Sequence, residues 1–135
     1  MIASSFQPIA TSTSKVLVLG SLPGQESLRR GEYYAHPRNA FWRIVEALFG
    51  IPATSDYRER THRLMNAGIA LWDVCAAAHR PGSLDSAIQG ASVNPNDFAT
   101  FFCAHPRVTL IAFNGAKAAE LYRKHVGLTM QRSIV

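Results

Sequence analysis

Apolar residues along the chain come in short bursts separated by polar or glycine-rich stretches. "KVLVLGSLPG" is a compact apolar run that ends abruptly in Gly, Ser and Pro, the pattern of a buried parallel strand feeding a loop. "NAFWRIVEALFG" then spaces Phe41, Ile44, Val45, Leu48 and Phe49 at helical intervals, closes on Gly50 and is followed by Pro52. Asn39 stands where that helix should be capped. Residues 56–67 are charged and read as a helix. "GIALWDVC" reads as a second buried strand, interrupted near its end by Asp73. "NPNDFATFFCAH" suits a helix with Asn94 as cap and Pro95 in its first position. "RVTLIAFNG" is a third strand, "AKAAELYRKHVG" a helix running to Gly127, and "RSIV" begins a fourth strand.

Strands alternating with helices predict an α/β domain with a parallel sheet. No repeat, linker or low-complexity stretch divides the 135 residues, so a single domain over 1–135 is expected. Ligands of open parallel sheets sit beyond the carboxyl ends of the strands. "GSLPG", Asp73 and "NGAK" are all expected at that edge, and "YYAHPRN" on the first crossover should reach it too.

Charge adds a partner. Lys plus Arg number 14 against 9 Asp plus Glu, a net charge of +5, and hydrophobic residues make up 47%. A basic globular protein favours a polyanion such as nucleic acid. Cys75 and Cys103, read as two buried thiols, are too few for a disulfide scaffold or a four-cysteine metal site. The histidines at 36, 62, 79, 105 and 125 form no H-x-x-x-H or H-E-x-x-H pattern, so no zinc site is expected. No run reaches the ~18 apolar residues of a membrane helix. The start has no basic segment leading into an apolar run, so no signal peptide is read. A cytoplasmic address without membrane attachment follows as the expectation.

Each candidate residue admits a plain reading beside a chemical one. "GSLPG" is neither a P-loop nor a dinucleotide fingerprint. Gly20 and Gly24 let a backbone approach a ligand and Pro23 stiffens the turn, but an ordinary strand-to-helix turn fits as well. Asp73 ends an apolar strand, where a carboxylate is costly unless it anchors a loop or is used. Asn114 and Gly115 open a helix with Lys117 in its first turn, which suits either a plain turn or a phosphate grip. Tyr33, Tyr34 and Phe41 are candidates for base stacking, while His36 and Arg38 can touch a phosphate. Position and propensity alone make Asn39 a helix cap.

The order "GSLPG", "YYAHPRNAFW", "GIALWDV", "FNGAKA" resembles the uracil-DNA glycosylase superfamily over about residues 15 to 126. "HPRNAFW" matches an F-A-H-P-x-N-x-F-W stretch of its mismatch-specific branch, and the chain is most similar to the hypoxanthine-DNA glycosylase branch. The resemblance implies a three-layer α/β/α sandwich with a short, mainly parallel four-stranded sheet. It also implies a monofunctional, cofactor-free glycosylase, working as a monomer on double-stranded DNA that contains a deaminated base. Its setting would be cytoplasmic and bacterial-type, at the nucleoid when acting.

In the family's first motif an Asp or Asn directs water, and here that position is Leu22. The resemblance therefore hands the role to Asn39. It places Tyr34 on the flipped base, Asp73 at the base edge, and Gly20, Ser21, Leu22, Pro23 and Gly24 around the base. His36, Arg38, Asn114, Gly115 and Lys117 fall to DNA contact. The family carries a second motif of L-P-S-x-S-P-A or H-P-S type after the last strand. Since the sequence reads only "RSIV" there, that motif is expected to be missing and the last strand shortened. Uracil or mismatch specificity, a catalytically inactive DNA-binding module and a small-molecule nucleoside hydrolase stay open as alternatives.

Overall fold

A computed structural model describes residues 2–127 and 133–134. Strands β2 (Val16–Gly20), β3 (Ile69–Asp73), β6 (Leu110–Phe113) and β7 (Ser133–Ile134) form one sheet in the order β3-β2-β6-β7. Every pairing in it is parallel. Two residues of "RSIV", Ser133 and Ile134, thus supply the expected fourth strand, while Arg132 and Val135 lie outside the described residues.

The register puts Leu17 beside Ala70 and Ile111, and Leu19 beside Trp72 and Phe113. Side chains alternate across a strand, so these residues share one face. On that face they pack with Phe98, Phe101 and Phe102 of α4 (Phe98–Ala104) and with Ala118, Leu121 and Tyr122 of α5 (Ala116–His125). The opposite face presents Val18, Ile69 and Leu71 to Phe41, Trp42 and Val45 of α2 (Phe41–Phe49) and Leu64 of α3 (Tyr57–Asn66). Each fully buried side chain of this size contributes ~1.5–3 kcal/mol, so both helical faces are fastened to the sheet by burial.

A second sheet, which the strand–helix alternation does not predict, stands beside the first. β1 (Ile2–Ser4), β4 (Cys75–His79) and β5 (Asn94–Pro95) pair antiparallel in the order β1-β4-β5. The chain leaves the parallel sheet at Val74, whose N–H donates to Gly20 O at 2.8 Å, and passes directly into β4. A short helix, α1 (Gln25–Arg30), also follows the "GSLPG" loop.

Three local expectations are corrected. Asn94 and Pro95 lie in β5, and α4 starts later, with Asp97 Oδ1 accepting from Thr100 N–H at 3.1 Å. The cap position of α2 is Ala40 and not Asn39. Asn39 still serves that end, because its Oδ1 accepts from Phe41 N–H at 2.9 Å. Cys75 is buried as expected, but Cys103 is exposed. Among the described residues no helix is long and apolar enough to cross a membrane.

Candidate active site

Parallel register brings Gly20 opposite Asp73 at the carboxyl ends of β2 and β3, and Asn114 follows β6 at the same edge. Asn114 N–H donates to Leu19 O at 2.8 Å, which ties the loop after β6 to the strand beside it. Over this edge lies a cleft of about 430 Å³, in the usual range for small-ligand sites. Its lining includes the whole 20–24 loop, Tyr34, His36, Asn39, Asp73 and Asn114. Arg38 is exposed on the same crossover but does not line the cleft. Gly115, at φ 114°, opens α5, and Lys117 pairs with Glu120 at 3.6 Å. Neither of the last two lines the cleft.

Asp73 is the floor. It is 3% exposed, and its Oδ2 has no hydrogen-bond partner among the described residues. Burial, followed by repulsion from Asp85, pushes its carboxyl up to about 7, with Arg80 acting in the opposite sense. Its backbone is secured from behind, where Asn96 Nδ2 donates to Asp73 O at 2.7 Å. Of the two readings left open for Asp73, this one is not a loop anchor through its side chain. A buried, unpartnered carboxylate oxygen on a residue that lines the cleft is a group awaiting a donor.

Tyr34 forms the wall. It is the one described non-glycine residue with positive φ, at 56°, a conformation that costs about 1 kcal/mol or more and must be imposed by its surroundings. Neighbouring Tyr33 is pinned on both sides: its N–H donates to Tyr57 Oη at 2.9 Å, and its carbonyl accepts from Trp42 Nε1 at 3.0 Å. The Tyr34 ring stacks on Phe41 with centroids 4.1 Å apart. Its hydroxyl is buried and makes no hydrogen bond of ordinary geometry among the described residues. Burial, and next the Asp73 charge, raise its pKa, while the Asn114 side chain offsets part of that rise.

Asn39 stands exposed at the mouth. A turn places it: Asn39 N–H donates to His36 O at 2.9 Å, and Arg38 N–H donates to His36 Nδ1 at 3.0 Å. With one Oδ1 lone pair on Phe41 N–H, the amide keeps a second lone pair and two donors. Leu22 occupies the loop but is 6% exposed and packs in the core, so it offers no polar atom from its side chain. Two further carboxylates line the cleft, Asp85 and Glu26. Glu26 is bonded first by Arg29 and then by Arg30, which hold it down at about 2. It is a poor base.

Several residues of the site were invisible in the sequence. Arg80 is 1% exposed and donates to the carbonyls of Leu22 at 3.4 Å, Pro23 at 2.5 Å and Gly82 at 3.0 Å. Ser21 Oγ donates to Asp85 Oδ1 at 2.7 Å, and Gln25 N–H donates to Ser83 Oγ at 2.9 Å. The 20–24 loop is thereby clamped to the 80–85 turn. The available signal was an arginine beside "PGS", itself a turn pattern, close after a buried strand.

The model of the uracil DNA glycosylase superfamily matches residues 7–134. A protein named hypoxanthine DNA glycosylase from Methanosarcina barkeri is 37% identical over 116 residues, covering 85% of this chain and 72% of its own length. One of the same name from Methanosarcina acetivorans is 39% identical over 121 residues, covering 89% and 75%. The solution NMR structure of a candidate uracil DNA glycosylase from Methanosarcina acetivorans superposes with a TM-score of 0.84 at 36% identity, covering 99% of this chain and 81% of that one. With nearly the whole sequence matched, the chain belongs to the uracil DNA glycosylase superfamily.

Proposed function

We propose that this protein is a monofunctional DNA N-glycosylase that takes hypoxanthine out of DNA and hydrolyses its bond to the sugar, leaving an abasic site. The observation that carries this reading is Asp73, a buried carboxylate with an unpartnered oxygen on the floor of a cleft walled by Tyr34. An ionised carboxylate only accepts hydrogen bonds. Hypoxanthine offers N1–H to such an acceptor, whereas adenine has a lone pair there and is repelled. Uracil also carries an N–H on its pairing edge, so Asp73 selects deaminated bases as a class. The names of the two Methanosarcina relatives favour the purine within that class.

The chemistry asks little of a nucleophile. An extruded nucleotide would place its base against Tyr34 and its edge on Asp73, at an unstacking cost of a few kcal/mol. The C1′–N9 bond breaks with its electron pair going to the base, and positive charge builds on the sugar. A water oxygen then bonds to C1′, and the proton it sheds returns through solvent to the departing base. Asn39 does not titrate and acts by holding that water through its amide at the mouth of the cleft. Backbone N–H groups of Ser21 and Leu22 face the developing negative charge. His36, Arg38, Asn114, Gly115 and Lys117 serve the DNA strand, and the protein works as a monomer on duplex DNA. A helical layer on each sheet face is part of this reading, as the three-layer sandwich of the family.

The test uses labelled duplexes containing deoxyinosine or deoxyuridine, with strand cleavage at abasic sites as the readout. Release from the inosine duplex that Asn39→Ala abolishes is expected. Preferential release of uracil would give the specificity to the alternative reading. Duplex binding without release of either base would leave a DNA-binding module.

A further inference from the structure

Deamination makes two changes in a base. An exocyclic amine of adenine or cytosine becomes a carbonyl, and the neighbouring ring nitrogen turns from an acceptor into an N–H donor. Asp73 answers the new N–H but has nothing to offer the new oxygen, because an ionised carboxylate only accepts. The chemistry above uses the ring of Tyr34 and leaves its hydroxyl idle.

Tyr34 Oη is buried without a hydrogen-bond partner among the described residues, as is Asp73 Oδ2, and both residues line the cleft. The two groups are neighbours across Gly20: a Cβ there would lie 2.9 Å from Tyr34 Oη and 2.6 Å from Asp73 Oδ1. No hydrogen bond joins the hydroxyl to the carboxylate. Burial, and next the Asp73 charge, keep the phenol protonated, so it retains a proton to donate. The Asn114 side chain acts on it in the sense of a donor to the oxygen, which leaves that proton uncommitted. An unpaired buried hydroxyl costs folding free energy and gains nothing in the empty cleft. Phe41 stacks on the ring and would hold a phenylalanine as well, so packing does not explain the hydroxyl.

We propose that the Tyr34 hydroxyl is a specificity-determining donor: it gives its hydrogen bond to the carbonyl oxygen that deamination creates, while Asp73 accepts from the adjacent N–H. The proposal rests on the glycosylase reading and adds the second half of its base recognition. A donor beside an acceptor matches O6 beside N1–H in hypoxanthine, and equally O4 beside N3–H in uracil. Adenine brings an amine to the hydroxyl proton and a lone pair to the carboxylate, so both contacts oppose it. Part of the negative charge of the departing base falls on the carbonyl oxygen, and the bond from Tyr34 tightens as the link to the sugar breaks.

The experiment changes one atom on each side of the contact. Replacing O6 of the base by sulfur keeps N1–H and weakens the acceptor, and Tyr34→Phe removes only the hydroxyl. Single-turnover release is measured from duplexes carrying deoxyinosine or 2′-deoxy-6-thioinosine, with the parent protein and the variant. Tyr34→Phe should slow hypoxanthine release by about tenfold and 6-thiohypoxanthine release by no more than about twofold, so the preference for oxygen over sulfur falls at least about fivefold. A hydroxyl with a merely structural role would slow both alike. Equal slowing on the two substrates, or slowing on neither, overturns the assignment. Affinities for the 2′-fluoro analogues of both duplexes, which resist hydrolysis, are read by fluorescence anisotropy. If the parent releases neither base, the glycosylase reading fails and these affinities alone decide. A preference for oxygen that Tyr34→Phe removes supports the donor, and a preference absent or unchanged rejects it.

Discussion

Tyr34 Oη and Asp73 Oδ1 converge on the space that Gly20 leaves empty. A Cβ on residue 20 would stand 2.9 Å from the hydroxyl and 2.6 Å from the carboxylate oxygen, closer than a carbon can sit. The constraint is spatial, since the φ of Gly20 lies outside the left-handed range. Both neighbours are held by packing, one stacked on Phe41 and the other buried at the end of a strand. Gly20→Ala should therefore displace the floor and the wall of the cleft together. We expect a stability loss of about 1–3 kcal/mol by urea unfolding and a fall in base release of at least about tenfold. Full activity in Gly20→Ala would show that neither group needs its position.

Asp73 predicts two pH effects. Its folded pKa of about 7 lies above the ordinary 3.8, so the folded state holds a proton that the unfolded state has released between those values. Stability is then greatest below the unfolded pKa and is lost as pH rises through about 7. The loss is on the order of 4 kcal/mol at most. Asp73→Asn should flatten this slope and be the more stable protein at pH 8. An equal slope in both proteins would remove Asp73 as its source.

Selectivity should follow the same titration. Above about pH 7 the carboxylate accepts only, and hypoxanthine is favoured over adenine. As pH falls through that value the protonated acid can donate to adenine N1, and the discrimination should narrow. The ratio of release rates from inosine and adenosine duplexes, measured from pH 5.5 to 8.5, checks this, and a flat ratio refutes it.

Asn39 joins a helix end to the cleft, and the two duties separate by magnitude. Asn39→Ala removes the acceptor for Phe41 N–H and should cost about 1 kcal/mol in urea unfolding. Loss of a positioned water should lower the hydrolysis rate by at least about a hundredfold. A rate loss no larger than the unfolded fraction explains would leave the residue as a cap.

Arg80 sets the shape of the 20–24 loop. Arg80→Met leaves the carbonyls of Leu22, Pro23 and Gly82 without their donor and should destabilise by about 3 kcal/mol. Arg80→Lys, with one ammonium in place of the fork, should recover stability only in part. Equal melting of all three proteins would show the clamp to be incidental.

Segments whose pattern is local were legible in the sequence. The continuous apolar runs "KVLVLG" and "LWD" suit strands buried on both faces, and the structure places them so. Residues 41–49 form the expected helix but bury Phe41, Trp42 and Val45 and leave Ile44, Leu48 and Phe49 exposed. Helix starts were harder, because asparagine and aspartate favour caps and turns alike. Pro95 lacks an N–H, which suits a first helical turn and an edge strand equally, so the pattern offers Asn94 as a cap where the structure uses Asp97. The antiparallel sheet left little trace, since "CAAAH" has scarcely any pattern and its partners come from remote parts of the chain.

The same division runs through the site. By itself the sequence determined that "GSLPG", "YYAHPRN", Asp73 and Asn114 meet at one sheet edge, because parallel strands deliver their following loops to one side. Only the tertiary structure decided what each group there can do. Asp73 acquires its raised pKa from burial, Gly20 its necessity from two facing oxygens, and Arg80 its place from carbonyls on another loop. Desolvation and close approach are properties of packing, and no run of neighbouring residues encodes them.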